Sequence, residues 1–181
     1  MSKRALIVVD LQNEYLATGN LPLDNIDAVV ANAVRVIADA RAKGDLVIHV
    51  RHEFATPGMP VFVPGSAGVE IIPAVAPADG EKVIVKNHVN SYRDTDLKQY
   101  LDAHDVKNVT VIGAMTHMCI DAAVRASADF GYTVTVLHDA CATRDLEFGG
   151  ATTPAAQVQT AMLAAFAFGY AAVKTVDEYT A

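Results

Sequence analysis

Val109-Thr-Val-Ile-Gly-Ala-Met-Thr-His-Met-Cys-Ile-Asp-Ala-Ala-Val-Arg-Ala-Ser-Ala-Asp-Phe-Gly-Tyr-Thr-Val-Thr-Val-Leu137 changes its periodicity twice. Val109–Ile112 reads as a buried strand, an alanine-rich helix runs from about His117 to Phe130 and stops at Gly131, and Thr133–Leu137 is a strand again. A strand, a crossover helix and a second strand make a parallel pair. The same rhythm continues outward. Ala5–Val9, Leu46–Val50 and Lys82–Val85 precede it as short apolar runs, and Ala172–Val176 follows. Asp24 offers an N-cap to a helix with Ile26, Val29, Val30, Ala33, Ile37 and Ala40 on one side and Gly44 at its end. Thr95 opens a shorter helix with Leu97, Tyr100 and Leu101 on one face. Thr153 as N-cap and Pro154 as first residue start a last helix that ends near Gly169. Strands apolar on both faces, alternating with helices, predict an α/β fold. It is a doubly wound, mainly parallel six-stranded sheet with helices on both faces, a three-layer sandwich.

The 181 residues fit a single domain over 1–181 with a substantial core. A formal net charge of −7 lacks the basic footprint that nucleic acid requires. No apolar run is long enough to span a bilayer, so no membrane partner is expected. Met-Ser-Lys-Arg leads straight into a strand without a signal-peptide pattern, which predicts a cytoplasmic protein. Cys119 and Cys141 are too few for a disulfide framework and are expected as free thiols. The alanine-rich later helices fit a homo-oligomer, a dimer or higher.

The segment 52–81 breaks the rhythm, because it holds five of the seven prolines: Pro57, Pro60, Pro64, Pro73 and Pro77. Two readings stand side by side: a lid-like loop over a site, and an irregular connection packed on the surface.

In a parallel sheet the downstream ends of the strands share one edge, where ligands bind. Asp10, Lys86 and Cys119 each follow or end such a strand. Cys119, in the first turn of its helix, would feel the positive end of the helix dipole, which favours a thiolate. Its competing role is that of a buried, inert cysteine. Asp10, partly desolvated, suits a general base, and otherwise a turn aspartate. Lys86 can hold an acid in place, and otherwise is a solvated lysine. His49 and His52 fall on opposite faces of their strand, and His52, His88 and His117 lie at strand ends where they can line a pocket. No His-Glu-x-x-His or zinc-finger spacing occurs, and no metal is expected. No Gly-x-Gly-x-x-Gly follows the first strand and no Walker motif occurs, so no nucleotide or other cofactor is expected.

With these residues in hand, the chain resembles the isochorismatase-like cysteine hydrolase superfamily over nearly its whole length. The resemblance rests on Val8-Val-Asp-Leu-Gln-Asn-Glu-Tyr15, on Lys86, on Gly113-Ala-Met-Thr-His-Met-Cys-Ile-Asp121, on Arg125-Ala-Ser-Ala-Asp-Phe-Gly-Tyr132 and on His138-Asp-Ala-Cys-Ala-Thr143. Members include nicotinamidases, N-carbamoylsarcosine amidases, ureidoacrylate-type amidases and streptothricin hydrolase. The resemblance implies a catalytic triad of Asp10, Lys86 and Cys119, a cis peptide between Ala114 and Met115, and an oxyanion hole from the N–H groups of Met115 and Cys119. It implies a small-molecule substrate with an amide, lactam or ureido bond, cleaved through a thioester. Isochorismatases proper lack the nucleophilic cysteine, so Cys119 points to amide-type chemistry. Metal-binding nicotinamidases carry Asp-x-His after the second strand, whereas this chain has His49-Val-Arg-His-Glu53. A nicotinamidase-like activity and a non-catalytic thiol sensor of the same fold are the alternatives. Tyr15, His52, Phe54, Asn90, Tyr92 and His117 are candidates to shape the pocket, each with packing or a structural hydrogen bond as its competing role.

Overall fold

A computed structural model describes residues 3–181; Met1 and Ser2, at the head of the N-terminal stretch, lie outside the described residues. Strands β1 (Lys3–Val9), β2 (Leu46–His52), β3 (Lys82–Lys86), β4 (Val106–Ala114), β5 (Thr133–Ala142) and β8 (Ala172–Lys174) form one sheet in the order β3-β2-β1-β4-β5-β8, and every adjacent pair is parallel. Helices α1 (Ile26–Lys43) and α5 (Val176–Thr180) pack on one face, and α2 (Leu97–Ala103), α3 (Asp121–Asp129) and Phe166 of α4 (Ala155–Gly169) on the other. The two-residue period of β1 makes both cores. Leu6 and Val8 join Val29, Ala33, Val36 and Ile37 of α1, while Ala5, Ile7 and Val9 join Leu97, Leu101, Ile120 and Val124. Burying both faces of the central strands is what makes them continuous apolar runs.

The expected elements exist, with shifted ends. β4 and β5 run past their apolar cores, because Gly113 pairs with Cys141 and Ala114 with Ala142 after a register shift. Small and polar residues there continue the ladder without an apolar signature. Asn25, in the left-handed region at φ 57°, caps α1, not Asp24. α2 starts at Leu97, with Thr95 Oγ1 accepting from its N–H at 3.4 Å. Pro154 is the cap of α4 and not its first residue, since Thr153 belongs to a strand; Asp145 Oδ1, ten positions upstream, accepts the Ala155 N–H at 2.7 Å. The last strand stops at Lys174, where Thr175 and Glu178 form a reciprocal capping box for α5. A hairpin of β6 (Leu146–Phe148) and β7 (Ala151–Thr153) turns through Gly149 and Gly150, both at positive φ.

Gly113 has a specific steric task. It sits at φ +126°, paired with Val9, and a Cβ there would lie 1.9 Å from the Val9 carbonyl oxygen. Gly113→Ala is therefore expected to cost about 3 kcal/mol or more, combining a disallowed φ with overpacking against backbone. A thermal or urea melt checks this; an unchanged midpoint would contradict it.

Candidate active site

The sheet reverses its winding between β1 and β4: β1 leads outward to β2 and β3, and β4 leads to β5 and β8 on the other side. A crevice opens at the downstream ends of two such strands. Asp10 leaves β1 there in the left-handed region at φ 52°, its N–H donating to Val50 O at 2.8 Å. Asp tolerates that backbone better than most residues. Across the crevice β4 ends in a cis Ala114–Met115 peptide and passes into a single π-type turn, Thr116–Ile120, which carries Cys119. Cys119 thus lies in that turn, ahead of the regular α-helix rather than in its first turn. Thr116 Oγ1 ties the turn to Ala142 O at 3.2 Å.

Lys86 ends β3, two strands from Asp10, and its side chain spans the gap. Its Nζ lies 2.8 Å from Asp10 Oδ2, 3.2 Å from Cys119 Sγ and 3.1 Å from His52 Nδ1. An ammonium has three N–H donors and no acceptor, so these three partners saturate it. Asp10 is 0 %, Lys86 1 % and Cys119 7 % exposed, so the cluster meets solvent only through the cavity above it. Among the described residues no backbone N–H reaches either Asp10 carboxylate oxygen.

Burial decides the protonation states. It raises the Asp10 carboxyl above its ordinary value, although Lys86 and Cys119 pull the other way. Burial also works against the Lys86 ammonium, but Asp10 and then Cys119 outweigh it, and its pKa rises. Burial, reinforced by Asp10, pushes the Cys119 thiol up further than Lys86 pulls it down. The helix-end position favours a thiolate, whereas the apolar enclosure and the neighbouring carboxylate push the thiol the other way.

The cavity over this cluster has a volume of about 460 Å³. Its walls are mostly apolar: Tyr15, Phe54, Val61, Phe62, Met115 and Met118 surround Asp10, His52 and Cys119, and Asn87, His88, Asn90 and Arg93 form a polar side. Tyr15, His52, Phe54 and Asn90 are thus among the lining residues. Tyr92 and His117, also expected to shape this pocket, are not. The Tyr92 hydroxyl is committed to Ser127 Oγ at 2.7 Å and its ring packs on Phe130, so it serves the core. His117 Nδ1 pairs with Thr143 Oγ1 at 2.7 Å, and the residue lines a neighbouring recess with Arg144 and Glu147. His49 lies on the opposite side of β2 from His52, with Nε2 3.1 Å from Glu81 Oε2. No group of three His, Cys, Asp or Glu side chains among the described residues is placed to hold a metal ion.

Phe62 walls the cavity and Gln12 supports it, and neither is among the candidate site residues of the sequence. Gln12 is fully buried, and its side chain accepts from His52 N–H (2.8 Å) and donates to His52 O (2.9 Å) and Val69 O (2.8 Å). Asn13 N–H donates to Glu70 O, Ile72 N–H to Leu11 O, and Phe62 N–H to Glu14 Oε1. The stretch after β1 thereby fastens the long segment from 53 to 81 at several points. Val69, Ile72 and Val75 of that segment enter the core, and Phe54, Val61 and Phe62 wall the cavity. The signal in the chain is the amide and acid of Gln12 and Glu14 within the Val8–Tyr15 motif.

Comparison with known proteins gives a consistent result. An isochorismatase domain model matches residues 4–175. An uncharacterized isochorismatase family protein of Bacillus subtilis, YddQ, is 40% identical over 175 residues, covering 97% of each chain. Streptothricin hydrolase of Streptomyces noursei is 34% identical over 143 residues, 79% of this chain and 51% of that one. Among solved structures, an isochorismatase from Pseudomonas putida superposes with a TM-score of 0.91 at 37% identity, over 98% of this chain and 90% of that one.

Proposed function

The chain belongs to the isochorismatase family, and from the buried cluster at its sheet edge we propose that it is a cysteine-dependent hydrolase. The substrate is a small molecule with an amide, lactam or ureido carbon–nitrogen bond. One observation carries this reading above the others: a single ammonium, Lys86 Nζ, joins a carboxylate and a thiol at the floor of an apolar cavity. Asp10 takes the thiol proton as Cys119 Sγ attacks the carbonyl carbon. The N–H groups of Met115 and Cys119 bind the oxyanion. The tetrahedral adduct collapses, the carbon–nitrogen bond breaks, and Asp10 hands its proton to the leaving nitrogen. Asp10 then removes a proton from water, which attacks the thioester. The second collapse frees the acid, and the proton returns to sulfur. Lys86 stays protonated throughout and balances whichever partner is negative. A thiol that is almost wholly buried and pushed up by that burial fits this cycle better than a thiol sensor, which works through a low-pKa, accessible thiolate.

The test is a panel of small amides, lactams and ureido compounds, with mass spectrometry of the quenched enzyme. An adduct on Cys119 equal to the substrate minus its leaving amine supports the proposal. Turnover with no acyl adduct on Cys119 under any quench, and full turnover after Cys119→Ala, would sink it.

The same reading takes the protein as a homo-oligomer. α4 carries no charged residue from Ala155 to Gly169, yet only Val158 and Phe166 of it are buried. Gln157, Ala161, Ala164 and Phe168 form one outward stripe, and Phe168 is 96 % exposed. A second copy presenting the same stripe is the self-complementary occupant. Phe168→Glu is expected to convert the assembly to monomers in light-scattering chromatography, with turnover per chain retained. A wild type that already runs as a monomer would refute it. No helix among the described residues is long and apolar enough to cross a membrane.

A further inference from the structure

His52 is not a neutral bystander of the catalytic cluster. β2 lies between β3 and β1, and His52 and Lys86 are register partners at the ends of adjacent parallel strands. The Lys86 side chain must pass the imidazole to reach Asp10. It does so with Nζ 3.1 Å from His52 Nδ1. An ammonium can only donate, so Nδ1 must be the acceptor, and a neutral imidazole that accepts at Nδ1 carries its hydrogen on Nε2.

The ring has little freedom to do otherwise. Its backbone N–H and carbonyl are both held by the Gln12 side chain. Phe54 and Phe62 stand edge-on to it, at centroid distances of 4.5 and 5.4 Å. The charged and titratable groups that face it are Lys86 at the end of β3 and His88 just beyond; Asp10 and Cys119 act through Lys86. His88 is itself turned toward Asp94, 3.0 Å away. Burial, then Lys86 and His88, bring His52 down to about 4, so it is neutral where Lys86 is charged. No protein acceptor among the described residues pairs with Nε2, and Nε2 is not among the sealed, unpartnered atoms, while the residue lines the cavity.

We propose that His52 is a positioning residue locked in one tautomer. Nδ1 accepts a hydrogen bond from one N–H of the Lys86 ammonium, which aims the other two N–H groups at Asp10 and Cys119. Nε2–H opens on the cavity as a fixed donor. The second half of this assignment rests on the hydrolase reading and narrows its substrate class: the molecule carries a hydrogen-bond acceptor, such as a second carbonyl, a ureido oxygen or a ring nitrogen, beside the scissile bond.

The first test needs no substrate. Long-range proton–nitrogen correlation spectra of the ¹⁵N-labelled protein report each imidazole's tautomer. The His52 signals, assigned by their loss in His52→Asn, should show the Nε2–H form unchanged from about pH 5 to about pH 8, where an ordinary histidine titrates. An Nδ1–H form, or titration near the ordinary value of about 6.5, would overturn the assignment. The second test separates the two nitrogens. His52→Asn keeps an acceptor near the Nδ1 position and lacks the outer donor; His52→Gln keeps an outer amide and leaves Lys86 one acceptor short. Alkylation of Cys119 by iodoacetamide, in which sulfur displaces iodide and releases a proton, is followed against pH. At each pH, His52→Asn should keep the wild-type alkylation rate and His52→Gln should change it by about tenfold, the equivalent of about one pH unit in the thiol. Identical profiles for the two variants overturn the positioning role. On a substrate from the panel, His52→Asn should raise KM about fivefold to tenfold with kcat held, and a fall in kcat alone overturns the donor role. A protein that hydrolyses nothing fails the hydrolase reading, while the spectra and the alkylation profiles still decide the tautomer and its hold on Lys86.

Discussion

Cys119→Ala is expected to lower kcat/KM by about four orders of magnitude or more on any substrate the wild type cleaves, the loss typical of removing a nucleophile from a cooperating set. The cluster leaves no substitute. Among the described residues Asp10 is the only carboxylate lining the cavity, and activating water by Asp10 alone forgoes the covalent intermediate that divides the barrier. Cys119→Ser keeps an attacking atom but supplies a much weaker nucleophile, so it falls between the two. The Ala variant should stay folded, because only one sulfur atom is removed beside Ile120 and Ala123, which hold the turn in the core. Equal thermal midpoints with a collapsed rate isolate the chemistry. A loss smaller than about tenfold would remove Cys119 from the mechanism. The pH profile adds an independent check. The proposed cycle requires Asp10 unprotonated, and burial raises that carboxyl, so kcat/KM is expected to rise with pH through a midpoint above the ordinary carboxylate value. At the alkaline end the raised Lys86 keeps its charge, so the plateau extends through the neutral range. A variant with Asn at position 10 loses the acid limb together with the activity.

The fold is legible in the chain because its central strands are buried on both faces and its helices are punctuated by Gly44, Gly131 and Pro154. The three reactive side chains are legible for a related reason: each sits just where an apolar run stops, and in a parallel sheet those points meet. What stays hidden is set by groups that satisfy one another at long range. Asp145 caps α4 from ten residues away. Gln12 looks like one more polar residue after a strand, yet it holds both His52 and the long segment. Tyr92 and His117 fall near the right edge in sequence, but their side chains turn to Ser127 and Thr143. The Gly149-Gly150 turn is readable locally, but the three-residue strands on either side of it give too little periodicity to be told from a loop. The resting state of Cys119 is the instructive case. Position at a helix start argues for a thiolate, but the local dipole is weaker than full desolvation next to a carboxylate.

Asp10→Asn is expected to destabilise the protein by about 3–5 kcal/mol as well as to abolish turnover, since it strands a buried ammonium. Asparagine is the informative replacement, because it accepts the left-handed backbone at position 10 and keeps the size of the side chain. Its neutral amide no longer offsets the Lys86 charge, and with both residues almost wholly buried water cannot do so. Lys86→Met should cost less, because a carboxyl already raised by burial can take up a proton and become neutral. The double variant Asp10→Asn, Lys86→Met removes both charges and should be more stable than Asp10→Asn alone. Urea unfolding of the four proteins gives the coupling energy as a double-mutant cycle. A coupling of about 2 kcal/mol or more is expected for a pair in direct contact and sealed from solvent. Additive effects would mean that the 2.8 Å contact is not what holds the two groups in place. The cycle also separates stability from catalysis. If the ion pair exists to keep the base charged and the nucleophile aligned, the double variant regains stability and none of the activity. The cost of burying the two charges is then borne for chemistry and not for the fold.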